Sequence, residues 1–340
     1  MTVTATRLAF TVLFFSIFVA VLLRPTQSHY TFNDSSYIHY PEGTNSPDTS
    51  RGRILLVTAH PDDECLFFAP TLLGLTLNAT SDSSTAQSIE IKEEEIKPEI
   101  FALCLSIGDA DGLGSVRRDE YERSLDVLGV KSGNRMVLDH PDLRDDIHSR
   151  WKPEVIAKVV ESFVVEHGIT TILTFDRDGI SQHPNHKSIP YGVRHLLSNW
   201  PTDLESLKMK PRLYTLITVP LSIKYISILA PLLAKYDLYI ADVLHHLEDN
   251  LIYAFSFIKS LRSRTSVPTD GSEPASTQNV GAARESRNPN PISVFVSGTR
   301  EYSTALRAMK EHWSQLVWFR WLNVMFSRYM WVNEWIEVKV

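Results

Sequence analysis

The hydrophobic pattern begins at once. Between Arg7 and Arg24 lies LAFTVLFFSIFVAVLL, Leu8 to Leu23, sixteen residues without a charge. At ~1.5 Å per residue a helix of that length spans roughly 24 Å, short for an average bilayer and close to the thinner ER membrane of ~27 Å. The same length suits the core of a signal peptide. Because the run ends in Arg24-Pro25 and lacks a small-x-small pattern, it reads as a retained signal anchor or transmembrane helix over residues 1–27. Arginines flank it on both sides, so charge does not decide its orientation. A polar, aperiodic stretch containing Pro41 and Pro47 follows and reads as a linker over 28–52.

From Arg53 the pattern changes to short apolar runs: Ile54 to Thr58, Ile100 to Ser106, Met136 to Leu138, Thr170 to Phe175, Leu213 to Val219 and Ile292 to Val296. Between several of them apolar residues return every three or four positions, as in Val116 to Leu128 and Pro153 to Glu166, the period of a helix with one buried face. Strand alternating with helix predicts an α/β fold, Rossmann-like, with a mostly parallel sheet flanked by helices. The domain is expected over 53–335. Two polar segments interrupt it, at about 79–97 and 264–291, and their Ser, Glu, Pro and Asn content predicts flexible surface insertions.

Composition narrows the partners. A 340-residue chain that is 43% hydrophobic can bury a full-sized core, and a net charge of -6 argues against nucleic acid, whose phosphates need a basic face. Only Cys65 and Cys104 are present, too few for a disulfide framework and compatible with a reducing compartment. Asn33 and Asn78 lie in sequons that matter only in a lumenal chain.

The chemistry gathers where the apolar runs end. In parallel sheets ligands collect beyond the C-terminal strand ends. ILLVTAHPDDE places His60, Asp62, Asp63 and Glu64 directly after the first run, and SQHPNHKS places His183 and His186 after the fourth. Several buried carboxylates side by side need a compensating cation or an escape to solvent. Imidazole and carboxylate together suit Zn²⁺ or another divalent metal. Each cluster has a plainer explanation: an Asp-Asp-Glu run often opens a helix, and a lone histidine is often structural. Their shared placement at strand C-termini favours a metal site. Arg117 and Arg118 open a helix after Gly112-Leu113-Gly114, where a guanidinium could meet a substrate phosphate or pair with a neighbouring acid. Cys65 reads as packing rather than as a nucleophile. Trp313 to Trp335, with arginines among its tryptophans, suits either a bilayer interface or a core helix. Leu216 to Ala234, broken by Pro220, Lys224 and Pro231, is a poor membrane span.

AHPDDE at Ala59 to Glu64 together with HPNH at His183 to His186 resembles the PIG-L/LmbE-like family of zinc-dependent de-N-acetylases. The blocks Leu105 to Val130, Leu173 to His186 and Ala308 to Met330 are similar to its lipid-linked branch. The resemblance implies an LmbE-like fold, Zn²⁺ held by His60, Asp63 and His186, Asp62 as general base and His183 as oxyanion stabiliser. Arg117, Arg118, Asp139 and Asp176 are candidates for contacting substrate or orienting a ligand. It further implies hydrolysis of the N-acetyl group of GlcNAc-phosphatidylinositol, the second step of GPI-anchor biosynthesis, by a single-pass protein of the endoplasmic reticulum membrane with a cytosolic catalytic domain. Two alternatives stay open: a secreted de-N-acetylase of soluble GlcNAc sugars, and a non-catalytic sugar-lipid binding subunit.

Overall fold

The computed structural model describes residues 2–28, 52–77, 98–200, 210–264 and 292–340. Helix α1 (Thr2–Leu23) and the short strand β1 (Thr26–Gln27) come first, followed by β2 (Arg53–Thr58), α2 (Asp63–Leu66), α3 (Ala69–Leu77), β3 (Glu99–Cys104), α4 (Gly114–Leu128), β4 (Arg135–Val137) and α5 (Pro153–His167). Then come β5 (Thr171–Phe175), α6 (Gly179–Gln182), α7 (Pro184–Ser198), β6 (Arg212–Leu216), α8 (Leu221–Lys224), α9 (Leu229–Arg264), β7 (Ser293–Val296), α10 (Thr299–Glu311), α11 (Trp318–Phe326) and β8 (Val332–Val338).

All six expected runs form strands, and β2 to β6 are buried along almost their whole length except at β4. A run apolar at every position, not at alternate ones, marks a strand covered on both faces. The sheet order is β1-β7-β8-β6-β5-β2-β3-β4. Strands β2 to β6 pair in parallel, whereas β8 runs antiparallel to both β6 and β7. From β2 the chain builds outward through β3 to β4, then returns to β5 on the other side of β2 and continues to β6. The order therefore reverses between β2 and β5, the position where a crevice opens beyond the strand ends in doubly wound sheets.

Strand β8 corrects the core-helix alternative for Trp313 to Trp335. Helix covers only α11, and the stretch from Val332 is a strand with Trp335 fully buried. Local periodicity could not show this, because β8 is defined by pairing with β6 and β7, strands far away in sequence. The strand runs three residues beyond Trp335, to Val338. Leu216 to Ala234 is divided among the end of β6, α8 and the start of α9.

The chain separates into one unit of Met1–Leu232 with Ile292–Val340 and a second of Leu233–Pro291. In the second, the described part is helix α9 onward from Leu233, with Tyr253 and Phe255 largely exposed. Among the described helices only α1 is long and apolar enough to cross a membrane, over Thr6–Leu23. Its end leads straight into β1, which pairs antiparallel with β7. Most of the expected linker, the sequons and the two expected insertions lie outside the described residues, apart from Ser28, Gly52 and Arg264.

Two buried contacts tie distant segments together. Trp335 stacks on Phe68, and its indole N–H donates to Thr71 Oγ1 at 2.8 Å. At the end of α10, His312 Nε2 lies 2.6 Å from Glu64 Oε1, both side chains wholly buried. Burial by itself would lower the His312 pKa, but the Glu64 carboxylate raises it above the ordinary histidine value. Replacing Trp335 by alanine should cost ~3–5 kcal/mol through lost burial and the cavity left behind, read as a lower melting temperature. His312→Ala should cost a similar ~3–5 kcal/mol at pH 6, because Glu64 is left buried without its partner. A raised native pKa contributes stability that is complete below the unfolded value of ~6.5 and fades as pH rises through the native value. The gap between variant and wild type should therefore narrow in alkaline melts, and a gap constant with pH would contradict the pairing.

Candidate active site

The end of β2 is shaped by carboxylates that serve the backbone. Asp63 Oδ2 accepts the N–H groups of Ala59 and His60 at 3.0 and 2.9 Å, and Glu64 Oε2 accepts that of Asp62 at 3.0 Å. These bonds hold a turn in which Asp62 adopts a φ of 113°, a left-handed conformation uncommon outside glycine. The cost of such a backbone is of the order of 1–3 kcal/mol and persists only where the surroundings enforce it. Here it aims the Asp62 side chain at the crevice while Asp63 Oδ1 stays free of backbone bonds and faces His186 Nε2 at 3.2 Å.

Beyond β5 the loop is pinned by Asp176, whose Oδ1 accepts from the Asp178 and Gly179 N–H groups and the Thr218 hydroxyl, while Oδ2 accepts from the Thr218 N–H. Gly179 needs its missing side chain: its φ is +64°, and a Cβ would lie 2.9 Å from that of His186. Helix α7 then opens with Pro184 at its first turn and His183 as its cap.

The two histidines of this turn have opposite partners. His183 Nδ1 accepts the Asn185 N–H at 3.2 Å, so the neutral ring carries its proton on Nε2. His186 Nδ1 lies 3.2 Å from the Gly179 carbonyl and 3.0 Å from Ser181 Oγ. With Nδ1 donating to that carbonyl, Nε2 faces Asp63 Oδ1: the charged ring donates from it to the carboxylate, and the neutral ring keeps a lone pair there, as in most metal-ligating histidines. His60 Nε2 sits between Asn185 Oδ1 at 3.0 Å and Asp145 Oδ1 at 3.2 Å. Both are acceptors, because Asn185 is fixed by its own bonds to Asp146 N–H and Ser149 O. His60 Nε2 is thus the protonated nitrogen, and Nδ1 keeps the lone pair.

Electrostatics follow this arrangement. Burial lowers the His60 pKa to about 4, against the pull of Asp63 and Asp145, and so keeps the ring neutral. Burial also lowers that of His183, and His186 adds to the effect. Although burial would raise the Asp63 carboxyl, His186 and His60 hold it well below the ordinary range; reciprocally, Asp63 raises His186 against its burial. His60, His183 and His186 each offer a nitrogen within 4.8 Å of the others. They line a pocket of about 610 Å³ with Asp62, Asp63 and Asp145.

The other expected residues fall elsewhere. Arg117 lines the pocket, but its guanidinium is buried and donates to the carbonyls of Gly108 at 2.8 Å and Pro61 at 2.9 Å and to Asp145 at 3.3 Å. It braces the β2 turn. Arg118 and Asp139 are exposed and do not line the pocket, and Asp176 reaches it only through the loop it pins. Cys65 is buried, its thiol donating to the Asp62 carbonyl at 3.2 Å, and burial raises its pKa. Sequence reasoning missed Asp145, Asn185, Ser181 and Arg320. Arg320, from α11, lies 3.0 Å from Asp62 Oδ2, an ion contact without hydrogen-bond alignment. Asp145 had a signal, the acidic cluster after β4. Arg320 had none, because more than 250 residues separate it from Asp62.

The chain is similar to several known proteins. Residues 55–197 match the family described as PIG-L, GlcNAc-PI de-N-acetylase. The chain is 32% identical over 281 residues to the N-acetylglucosaminyl-phosphatidylinositol de-N-acetylase of Bos taurus, covering 83% of this chain and 81% of that one. It is 29% identical to the protein of that name from Arthroderma benhamiae, covering 86% and 89%. A solved structure of a deacetylase from the teicoplanin biosynthesis pathway, in complex with bog, covers 85% of this chain and 98% of its own at 11% identity and a TM-score of 0.45. With a strand-end acid cluster facing paired histidines across the sheet's reversal point, and with relatives matched over most of its length, the chain belongs to the PIG-L family of GlcNAc-PI de-N-acetylases, hydrolases of a linear amide.

Proposed function

We propose that the chain removes acetate from GlcNAc-phosphatidylinositol, giving GlcN-phosphatidylinositol, with a divalent metal, zinc, held by His60, Asp63 and His186. The observation that carries this reading is the opposite partnering of the two histidines on one turn. In its neutral form His186 presents a lone pair at Nε2, and His183 presents a proton there, so adjacent imidazoles are prepared for ligation and for hydrogen-bond donation. The donor set fits: two imidazoles and one carboxylate leave room for a further ligand, as catalytic zinc sites do. When bound, such an ion polarises a carbonyl and lowers the pKa of water from 15.7 towards ~7.

The chain's own residues do the rest. Asp62, free of backbone bonds at its Oδ2, takes the proton of the attacking water and returns it to the departing amine. His183 donates from Nε2 to the oxygen on which negative charge grows as the acetamide carbon becomes tetrahedral. Asp145 keeps the His60 proton on Nε2 and stands 3.9 Å from His183 Nε2, where it orients the ring.

Membrane placement at the endoplasmic reticulum, as the second step of GPI-anchor assembly, rests on the substrate named for the relatives and on two features of the chain. Helix α1 serves as a retained anchor, with the catalytic domain, 53–335 and its two insertions, on the cytosolic side. Helix α11, next to the pocket, exposes Trp318, Phe319, Leu322, Met325 and Phe326 beside Arg320, a mixture suited to a lipid headgroup region. The glycolipid then reaches the site without leaving the bilayer.

Acetate release from GlcNAc-phosphatidylinositol by the membrane-bound protein should stop on chelation and return with zinc. Asp62→Asn should lower kcat by ~10² to 10⁴ and His183→Ala by ~10² to 10³, both with metal content unchanged, whereas His186→Ala should lose the metal. Release from soluble GlcNAc sugars alone would move the substrate to the secreted alternative, and no release despite bound metal would leave the binding-subunit alternative.

A further inference from the structure

The charge on the pocket wall poses a problem for the substrate just proposed. Asp62, Asp63, Asp111, Asp145 and Asp146 line it, and the only lysine or arginine side chains among the described lining residues are Arg117 and Arg320. A phosphodiester entering this pocket meets mostly carboxylates, and in a partly desolvated crevice that repulsion is weakly screened. Arg117 does not relieve it. Its guanidinium is committed to two carbonyls and to Asp145, and adding a Cβ at Gly108 would strike it, which shows how tightly it is boxed in.

Arg320 differs on each count. It sits on α11 at the pocket mouth, 28% exposed, and its ion contact with Asp62 Oδ2 lacks hydrogen-bond alignment. A guanidinium carries five donors in a planar fork that fits two phosphate oxygens at once, and such a paired, charge-assisted contact is stronger than a misaligned single one. The neighbouring side chains of α11 are apolar and exposed, so the guanidinium stands at the polar edge of a surface suited to lipid.

We propose that Arg320 reads the phosphodiester of the glycolipid and is the specificity-determining residue of this site. With no phosphate present its guanidinium rests on Asp62 and occupies the carboxylate that must take the proton. Phosphate draws it away, so the substrate's own charge frees the base. The inference rests on the glycolipid reading above and adds to it the residue that separates phosphorylated from phosphate-free substrates.

The test uses the full-length, metal-loaded protein in neutral detergent, where no other anionic lipid is present. Acetate release is measured from GlcNAc-phosphatidylinositol, from GlcNAc-inositol phosphate and from GlcNAc-inositol. The last two differ only in the phosphate. Wild type should favour the phosphorylated headgroup by about tenfold to a hundredfold in kcat/KM, the range for a hydrogen bond to a charged group. R320A should bring that ratio close to one, and R320K, which keeps the charge without the fork, should fall between. Calorimetric binding of the deacetylated headgroup, GlcN-inositol phosphate, should weaken in R320A by a comparable factor, a readout that needs no turnover. Equal rates of wild type on both headgroups would overturn the proposal, as would an R320A variant that slows both by the same factor, which would make Arg320 a positioning residue for Asp62. Failure of wild type on all three compounds would instead remove the glycolipid reading, and this inference with it.

Discussion

The site depends on carboxylates used as backbone acceptors. A strand that ends inside a protein leaves N–H groups that need partners, and here the side chains of Asp63 and Glu64 supply them to Ala59, His60 and Asp62. Since those acids are buried, each in turn requires a cation or strong donor. Asp63 finds His186 across the crevice and Glu64 finds His312 at the end of α10. The acidity of the motif is thus as much architectural as chemical. Removing either acid would release the turn that aims Asp62, beyond deleting a charge.

The same logic explains why His60 stays neutral while His186 does not favour neutrality to the same degree. Both are buried, and burial disfavours the charged ring in each case. At His60 desolvation outweighs the nearby acids, whereas His186 lies in direct contact with Asp63 Oδ1 and that attraction prevails. Each ring touches a carboxylate oxygen at 3.2 Å, His60 at Asp145 and His186 at Asp63; the charges of His186 and His183 add to desolvation at His60, while the Gly179 carbonyl adds to the pull of Asp63 at His186.

Architecture and chemistry meet at the reversal of strand order. β2 and β5 are adjacent and parallel, so the loops that follow them emerge side by side. One loop carries the acids and the other the histidine pair, with Phe175 stacked on His186 at 4.3 Å to hold the ring in place. The far side of the pocket comes from α11, which lies between the antiparallel strands β7 and β8 in sequence, and this places the Arg320 cation beside Asp62.

Much of this was legible in the sequence. Uninterrupted apolar runs marked the covered strands, helical periodicity marked the crossovers, and the clusters at Asp62-Asp63 and His183 to His186 marked two walls of one pocket, because all of these are set by neighbours within a few residues. Tertiary structure alone decided which nitrogen of His60 is free, since Asn185 and Asp145 reach that ring only after folding. It also turned Arg117 inward to brace Pro61, put Trp335 on a strand instead of a helix, and brought His312 to Glu64 and Arg320 to Asp62. Contacts between residues some 250 positions apart leave no periodicity to read; burial and charge pairing in the folded chain create them.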